Sequence, residues 1–334
     1  IPHYKNFEIL DDCLSSLNKN LPDYCEIVIV DNGCIDNSIQ KVEEKYSDVN
    51  IIKSKVNLGY AGGCNLGAKQ SESNLLLFLN NDTIHDSEWI EYLYQRISTD
   101  ESIGSVQPKI LNQFNKKNFD YAGACGGYLD LLVYPYARGR IFNHIEEDQG
   151  QYDESKEIFW SSGCAFMIKR ELFLKLGMFD EKLFAHMEEI DLHWKMSLNG
   201  FKAVVEPKSI IYHKGAQTLN HDSFMKVYLN HRNSMILFIS NHNPIVMILF
   251  LIPKLSLEII SIIRYLFLGK IKYSFAQISA LLWVIFHPIY LLKRFVKISK
   301  IKRYSLSSIL GKMYKGSIVF SYYLLNKKKY SDFN

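Results

Sequence analysis

Apolar and polar positions over the first 240 residues switch between two periods. Leu10, Leu14 and Leu17 repeat at helical spacing within residues 7–17, and Trp89, Leu93 and Ile97 do so within 88–97. Between such stretches lie short β-branched or leucine-rich runs at 26–30, 51–52 and 74–79, which read as buried strands. Residues 62–70 read as the start of a helix, 187–199 as a helix ending at Gly200, and 159–169 and 201–205 as extended. Strand and helix alternating every dozen residues predict an α/β fold, a doubly wound and mainly parallel sheet flanked by helices. Ligands of such sheets bind beyond the carboxyl ends of the strands. Asp31-Asn32-Gly33 and Asn80-Asn81-Asp82 each follow an apolar run and fall there. Residues 112–156, rich in Tyr, Gly and Asn, read as a long insertion, and loops of that length are commonly functional.

From Ile245 the pattern changes. Residues 245–268 are strongly apolar yet carry Lys254, Glu258, Ser261 and Tyr265 along one helical face, a stripe that fits a helix lying in a membrane interface. Residues 273–292 are apolar over about the length that crosses a bilayer, and Lys293-Arg294 follow as a cytoplasmic flank. A buried core helix pair is the alternative. Charge separates the same two parts: residues 241–334 hold 15 Lys and Arg against Glu258 and Asp332, whereas 1–240 are net acidic. The expected organisation is therefore a large domain over 1–240 and a basic, apolar helical region over 241–334 that meets an anionic partner, with 245–300 on or in the membrane. No nucleic-acid partner is expected. Six cysteines without a C-x-x-C pair predict free, mostly buried thiols in a reducing compartment. No signal peptide is visible, and Ile1-Pro2 reads as the end of a strand, so leading residues are expected before it.

Asp82 with Asn80 two residues earlier would place two oxygen-bearing side chains on one side of a strand end. Mg²⁺ and Mn²⁺ take such ligands and share them with substrate phosphates, although an Asn/Asp turn has the same appearance. The signal gains weight from its company. Residues 26–38 read EIVIVDNGCIDNS, 57–67 NLGYAGGCNLG, 77–83 LFLNNDT, 179–194 FDEKLFAHMEEIDLHW and 211–215 IYHKG. This set, in this order, resembles the family-two inverting glycosyltransferases of the GT-A fold, above all rhamnosyltransferase-like members that build cell-surface polysaccharide. The resemblance covers about residues 1–240, and an apolar tail is also typical of such members.

The resemblance implies a set of roles. Asp31 would accept the N3–H of a uracil or thymine ring, with Asn32 beside it and with Pro2, His3 and Tyr4 walling the base. Asn57, Gly62, Gly63 and Asn65 would let backbone N–H groups near a helix start approach the donor diphosphate. Asp82 and His213 would hold Mg²⁺ or Mn²⁺, with Asn80 and Asn81 at the metal shell or the ribose. The general base would come from Glu188 or Glu189, with Asp191 and Trp194 shaping the acceptor side; the family has Asp where this chain has Glu189, so which glutamate serves stays open. Trp160-Ser161-Ser162-Gly163-Cys164 would line the sugar pocket. The implied activity is transfer from a UDP- or dTDP-sugar to a glycan or lipid-linked acceptor at the cytoplasmic face of the cell membrane. The alternatives are a sugar nucleotidyltransferase, which would want a basic glycine-rich loop after the first strand, and a catalytically inactive nucleotide-sugar-binding membrane scaffold.

Overall fold

The structure is a computed structural model and describes residues 1–215, 223–301 and 309–333. It opens with three parallel strands in the order β1 (Pro2–His3), β2 (Val28–Asn32) and β3 (Asn50–Ser54). Parallel neighbours need a crossover, and α1 (Phe7–Asn18) and α2 (Ser38–Lys45) supply it. α1 buries Leu10, Leu14 and Leu17, the face its periodicity marks. The third helix, α3, spans Gly59–Gln70 and so begins three residues before the predicted start.

The chain then builds a second, six-stranded sheet. Its members are β4 (Leu75–Leu79), β5 (Thr83–His85), β6 (Ile103–Asn112), β11 (Lys156–Ile158), β12 (Ala165–Lys169) and β13 (Lys202–His213). The order is β11-β13-β6-β12-β4, with β5 pairing β13. The α/β fold with helix-flanked sheets is as expected, but the strand directions are more mixed than simple alternation predicts. β13 and β6 run parallel, whereas β12 is antiparallel to both β4 and β6, and β11 and β5 are antiparallel to β13. The reason lies in what precedes β12. It follows an insertion rather than a helical crossover, so nothing forces it parallel. That insertion forms its own antiparallel sheet of β7 (Gly127–Leu129), β8 (Pro135–Ala137), β9 (Arg140–Ile141) and β10 (His144–Ile145). Helices α4 (Trp89–Ser98), α5 (Arg170–Lys175) and α6 (Glu188–Leu198) complete this half, with Phe78, Phe166, Phe173 and Phe179 packed in tilted and edge-to-face pairs where β4 and β12 meet α5.

A layer of four helices follows: α7 (Phe224–Asn241), α8 (Pro244–Phe267), α9 (Ile271–Phe286) and α10 (Pro288–Ile301). α7 packs on α9 and α10, so the layer already begins before residue 241. The polar stripe of α8 faces the protein. Lys254 and Glu258 are fully buried and paired at 3.0 Å, and Glu258 also meets His231 at 2.6 Å and the Tyr134 hydroxyl at 3.0 Å. Charges removed from water need such partners, so α8 turns its polar side inward and its isoleucines outward; Ile248, Ile252 and Phe267 are 65%, 76% and 87% exposed. This reverses the expected placing of the stripe toward water. The expected twenty-residue span is also broken, because α9 ends at Phe286 and α10 starts at Pro288 with a bend of 72°. Among the described residues, one straight helix, Pro244–Phe267, is long and apolar enough to cross a membrane. The last helix, α11 (Ile318–Tyr323), and the residues around it return to the β7–β10 sheet: Tyr314 N–H bonds Leu129 O at 2.9 Å, and Ile318 N–H bonds the Asp130 carboxylate at 2.9 Å.

Candidate active site

The carboxyl ends of β1, β2 and β4 meet at one edge. His3 pairs with Asp31 in register, and its Nδ1 stands 2.7 Å from Asn81 Nδ2, which ties the turn after β4 to the end of β1. Burial lowers the His3 imidazole to about 4, so it is neutral near pH 7. Asp31 Oδ1 accepts the Cys34 N–H at 2.8 Å, and the Tyr4 carbonyl accepts the Ile35 N–H at 3.3 Å. Pro2 touches α3 where Gly63 lies: a Cβ on Gly63 would stand 3.1 Å from the Pro2 side chain and 3.2 Å from Asn32 Nδ2.

Strand β4 stops at Leu79, and residues 80–82 form the turn into β5. The period-2 argument that would put Asn80 and Asp82 on one side therefore does not apply, and their placement is set by the turn. Asn80 continues the β12 ladder through its N–H to Cys164 O at 2.8 Å. Asp82 is buried and approaches His213 at the end of β13, with Oδ1 3.1 Å from Nε2. The two atoms form a buried ion pair without an aligned hydrogen bond. Two ligand atoms on a common Mg²⁺ or Mn²⁺, with bonds of about 2.1 Å at right angles, stand about 3 Å apart, so the spacing of this pair fits a shared cation. The opposite ring nitrogen of His213 lies 2.9 Å from Asp120 Oδ1, an arrangement that fixes ring orientation in metal-binding histidines. Burial opposes charge on His213, but Cys164, Asp82 and Asp120 outweigh it and raise the imidazole well above its ordinary value. Among the described residues no three His, Cys, Asp or Glu side chains close around a point, so a cation here would need further ligands from a substrate.

The acidic cluster starts α6. The backbone leading into it takes positive φ at Phe184, His186 and Met187, an unfavourable path for side-chain-bearing residues. Helix α7 holds that path. Asn233 Nδ2 donates to the carbonyls of Leu183, Ala185 and His186, and Arg232 donates to those of Lys182 and Leu183. Glu188 Oε2 and Glu189 Oε2 are both buried without a partner. Burial, reinforced by Glu189, raises the Glu188 carboxyl well above the usual range, and burial raises Glu189 to about 7. The Tyr60 hydroxyl, which feels both carboxyls, donates to Gly163 O, and the neighbouring Cys164 meets His213. Both pairs thus connect to the 161–164 segment, the acidic pair through the Tyr60 hydroxyl and the Asp82–His213 pair through Cys164. Strand β6 supports that segment from beneath, through Ser105 to Ser161 and Gln107 to the Ser162 N–H.

The model of glycosyl transferase family 2 matches residues 1–177, more than half of the chain. The chain belongs to glycosyl transferase family 2. A curated relative of this family 2 chain, the N-acetylglucosaminyl-diphospho-decaprenol L-rhamnosyltransferase of Mycobacterium tuberculosis, is 21% identical over 256 residues, which cover 72% of this chain and 81% of the relative. The poly-beta-1,6-N-acetyl-D-glucosamine synthase of Staphylococcus aureus is 24% identical over 221 residues, 65% of this chain and 49% of that protein. Among solved structures, GalNAc-T7 crystallised with UDP, GalNAc and Mn²⁺ matches with a TM-score of 0.57 and 17% identity, over 72% of this chain and 46% of that one. This last likeness is one of fold.

Several of the motif residues of the family 2 chain make contacts within the protein itself. Asn32 accepts the Leu58 N–H at 2.9 Å and donates to Gly59 O at 2.9 Å, and Asn57 accepts the Gly59 N–H at 2.8 Å, so both amides shape the turn into α3. Asn65 is buried and bonded in both directions to Phe179, tying α3 to the loop before α6. A Cβ on Gly62 would press on Leu58 of the preceding turn, so that glycine serves packing. Asp191 points away from Glu188 and Glu189: its carboxylate meets Arg294 of α10 at 2.5 Å, Lys195 at 3.1 Å and Asn241 at 2.9 Å. It lines a cavity of about 560 Å³ with Asp180, Lys195 and Lys297, and Arg294 and Lys195 hold its carboxyl well below the usual range against burial. Six free cysteines, four of them buried, match the expected thiol state. Asp120, Tyr60 and Asn233 escaped the sequence reading: Asp120 lies in the irregular 112–156 stretch, Tyr60 sits unremarked inside the 57–67 motif, and Asn233 carries no motif of its own.

Proposed function

We propose that this family 2 chain is an inverting, metal-dependent hexosyltransferase. It moves a sugar from a UDP- or dTDP-sugar to a glycan or lipid-linked acceptor in cell-surface polysaccharide synthesis. Its place is the cytoplasmic face of the cell membrane. The observation that carries this reading is the buried Asp82 carboxylate 3.1 Å from His213 Nε2, with one oxygen each of Glu188 and Glu189 buried and unbonded at the start of α6.

In this reading Asp82 and His213 hold Mg²⁺ or Mn²⁺, which would supply countercharge to the departing nucleoside diphosphate. Asp31 accepts the ring N3–H of the base, and Pro2, His3, Tyr4 and Asn81 form the floor beside it. Glu189 takes the proton of the acceptor hydroxyl. Its carboxyl is raised to about 7, a value suited to a base working near neutral pH, whereas Glu188 is the more deeply buried of the two and is pushed upward by burial and by Glu189. A single displacement with one such base inverts the anomeric centre. We assign 1–240 as the catalytic unit and 241–334 as its helical accessory, of which 245–300 meet the membrane and 309–333 return to the insertion sheet. The outward isoleucine face of α8 supports contact with lipid. Its inward Lys254–Glu258 pair favours a surface-lying helix over a lone spanning one.

The test is release of UDP or dTDP from a panel of nucleotide-sugars with Mn²⁺ or Mg²⁺ present. Asp82→Ala loses both turnover and cation-dependent nucleotide binding, whereas Glu189→Gln loses turnover and keeps the binding. Full turnover in both variants removes the site assignment.

A further inference from the structure

Asp82 is held from two sides by consecutive residues. His213, the last residue of β13, meets its carboxylate, and Lys214, the next residue, donates its main-chain N–H to Asp82 O at 2.9 Å. The same lysine sends its side chain to the Asp12 carboxylate of α1. Asp12 belongs to a helix that lies against the turn after β4: the neighbouring Cys13 thiol donates to Asn80 O at 3.7 Å and meets the Thr83 hydroxyl at 3.6 Å. The Lys214 ammonium is therefore parked beside the turn that carries Asp82.

The parking place is a weak one. The Asp12 side chain is 58% exposed, and an ion pair with one partner in water contributes little. The ammonium nevertheless acts on the site. Together with His213, it draws the Asp82 carboxyl downward against burial, so its charge reaches that carboxylate from where it stands. Its flexible aliphatic stem lets the charge turn to a new partner nearby. His213 has no positive charge to spare for a ligand, because its two ring nitrogens face the carboxylates of Asp82 and Asp120. Lys214 is thus the side chain beside Asp82 that can offer a cation to an incoming anion.

We infer that Lys214 exchanges Asp12 for the β-phosphate of the donor and stabilises the charge that develops there as the sugar leaves. The inference rests on the sugar-transfer reading of the same site and adds to it a residue for the leaving group. As the bond between the anomeric carbon and the β-phosphate oxygen breaks, its electron pair stays on that oxygen. The acceptor oxygen forms the new bond to the anomeric carbon and gives its proton to Glu189. Lys214 keeps its own protons throughout and meets the new charge as a cation. Lysine suits this task because it binds phosphate as a point charge, without the fixed geometry of a guanidinium fork. A cation aimed at charge that appears only in the transition state accelerates the step rather than merely tightening the complex. Asp12 holds the ammonium ready at the edge of the turn.

The experiment uses the full chain in detergent micelles with Mn²⁺ and measures binding of UDP, UMP, dTDP and dTMP. Each diphosphate differs from its monophosphate by the β-phosphate that Lys214 meets. Lys214→Gln should weaken the better-bound diphosphate tenfold or more and its monophosphate by no more than twofold, and Lys214→Arg should recover part of the loss. Turnover at saturating nucleotide-sugar should also fall tenfold or more in Lys214→Gln. Asp12→Asn frees the ammonium, so this variant should bind the diphosphate at least as tightly as the unaltered chain. Asp12 is exposed on a helix, so its variant folds even if Lys214→Gln does not. Equal weakening of diphosphate and monophosphate in Lys214→Gln would overturn the inference. So would a tenfold loss of diphosphate binding in Asp12→Asn, which is what a merely structural ion pair predicts. Release of UDP or dTDP from nucleotide-sugars by the unaltered chain separates the two readings. Turnover that Lys214→Gln leaves unchanged ends this inference alone, whereas no turnover and no Mn²⁺-dependent nucleotide binding end the sugar-transfer reading with it.

Discussion

Replacing Arg294 by Met tests how the helical layer is locked to the catalytic half. Arg294 is buried and donates to Asp191 at 2.5 Å, to Asn241 at 3.1 Å and to Asp180. Removing one partner of a buried pair costs about 3–5 kcal/mol, because the other charge is left without compensation. Here Lys195 and Asn241 still reach Asp191, which sets the expectation at the low end, about 3 kcal/mol. For a chain of this length that corresponds to a fall in melting temperature of roughly 5 °C. The pH dependence carries a second signature. Arg294 and Lys195 depress the folded-state pKa of Asp191 against the opposing effect of burial. Its contribution to stability is thus fully present above the unfolded value of about 4 and is lost as pH falls through and below it. Thermal unfolding in micelles, followed by tryptophan fluorescence between pH 7 and pH 3, should show Arg294→Met less stable at pH 7 and less steeply destabilised by acid. Adding Asp191→Leu should restore much of the loss. A melting temperature within 1 °C of the unaltered chain, with an unchanged acid slope, would refute the argument.

Three further outcomes can be checked. Asp120→Asn removes the carboxylate behind His213 and should weaken Mn²⁺-dependent nucleotide binding about 10–100-fold; titration of Mn²⁺ with UDP present reads this, and an unchanged affinity would remove Asp120 from the site. With Glu189 as base, kcat/KM should rise with pH through about 7, and Glu189→Gln should lose that limb together with about 10²–10⁴ in rate; a surviving limb would transfer the role to Glu188. Ile252→Glu combined with Phe267→Glu should cut co-sedimentation with anionic liposomes at least tenfold, since burying each apolar side chain is worth about 1.5–3 kcal/mol, and unaltered sedimentation would turn this face away from lipid.

What could be read from the residues alone differs by kind. Asp82 and His213 stand out because strand ends and family motifs mark them, and the structure brings them together. Their support does not stand out: Asp120 sits in a stretch with no period, and its partner is 93 residues away. The amides have internal work that the residues alone did not reveal. Asn32, Asn57 and Asn65 occur in or near a glycine-rich setting, and their side chains satisfy the backbone of a tight turn and a buried loop. Strand direction was hidden because Ala165–Lys169 has the same composition whichever way it enters the sheet. The stripe of Lys254 and Glu258 was visible as amphipathicity, but a pattern alone does not say which side of a helix meets protein. Pro288 broke the apparent twenty-residue span at a point where composition gave no contrast.

The hold of α7 on the loop before Glu188 carries a practical lesson. Three main-chain carbonyls there converge on the one amide of Asn233, which comes from the helix layer rather than from the sheet. Cutting the chain back to its last strand, ahead of α7, to obtain a better-behaved protein would pull out the peg on which the Glu188–Glu189 pair hangs. Such a truncated molecule should still grip nucleotide and yet fail to transfer sugar, an inactivity easily mistaken for a missing substrate.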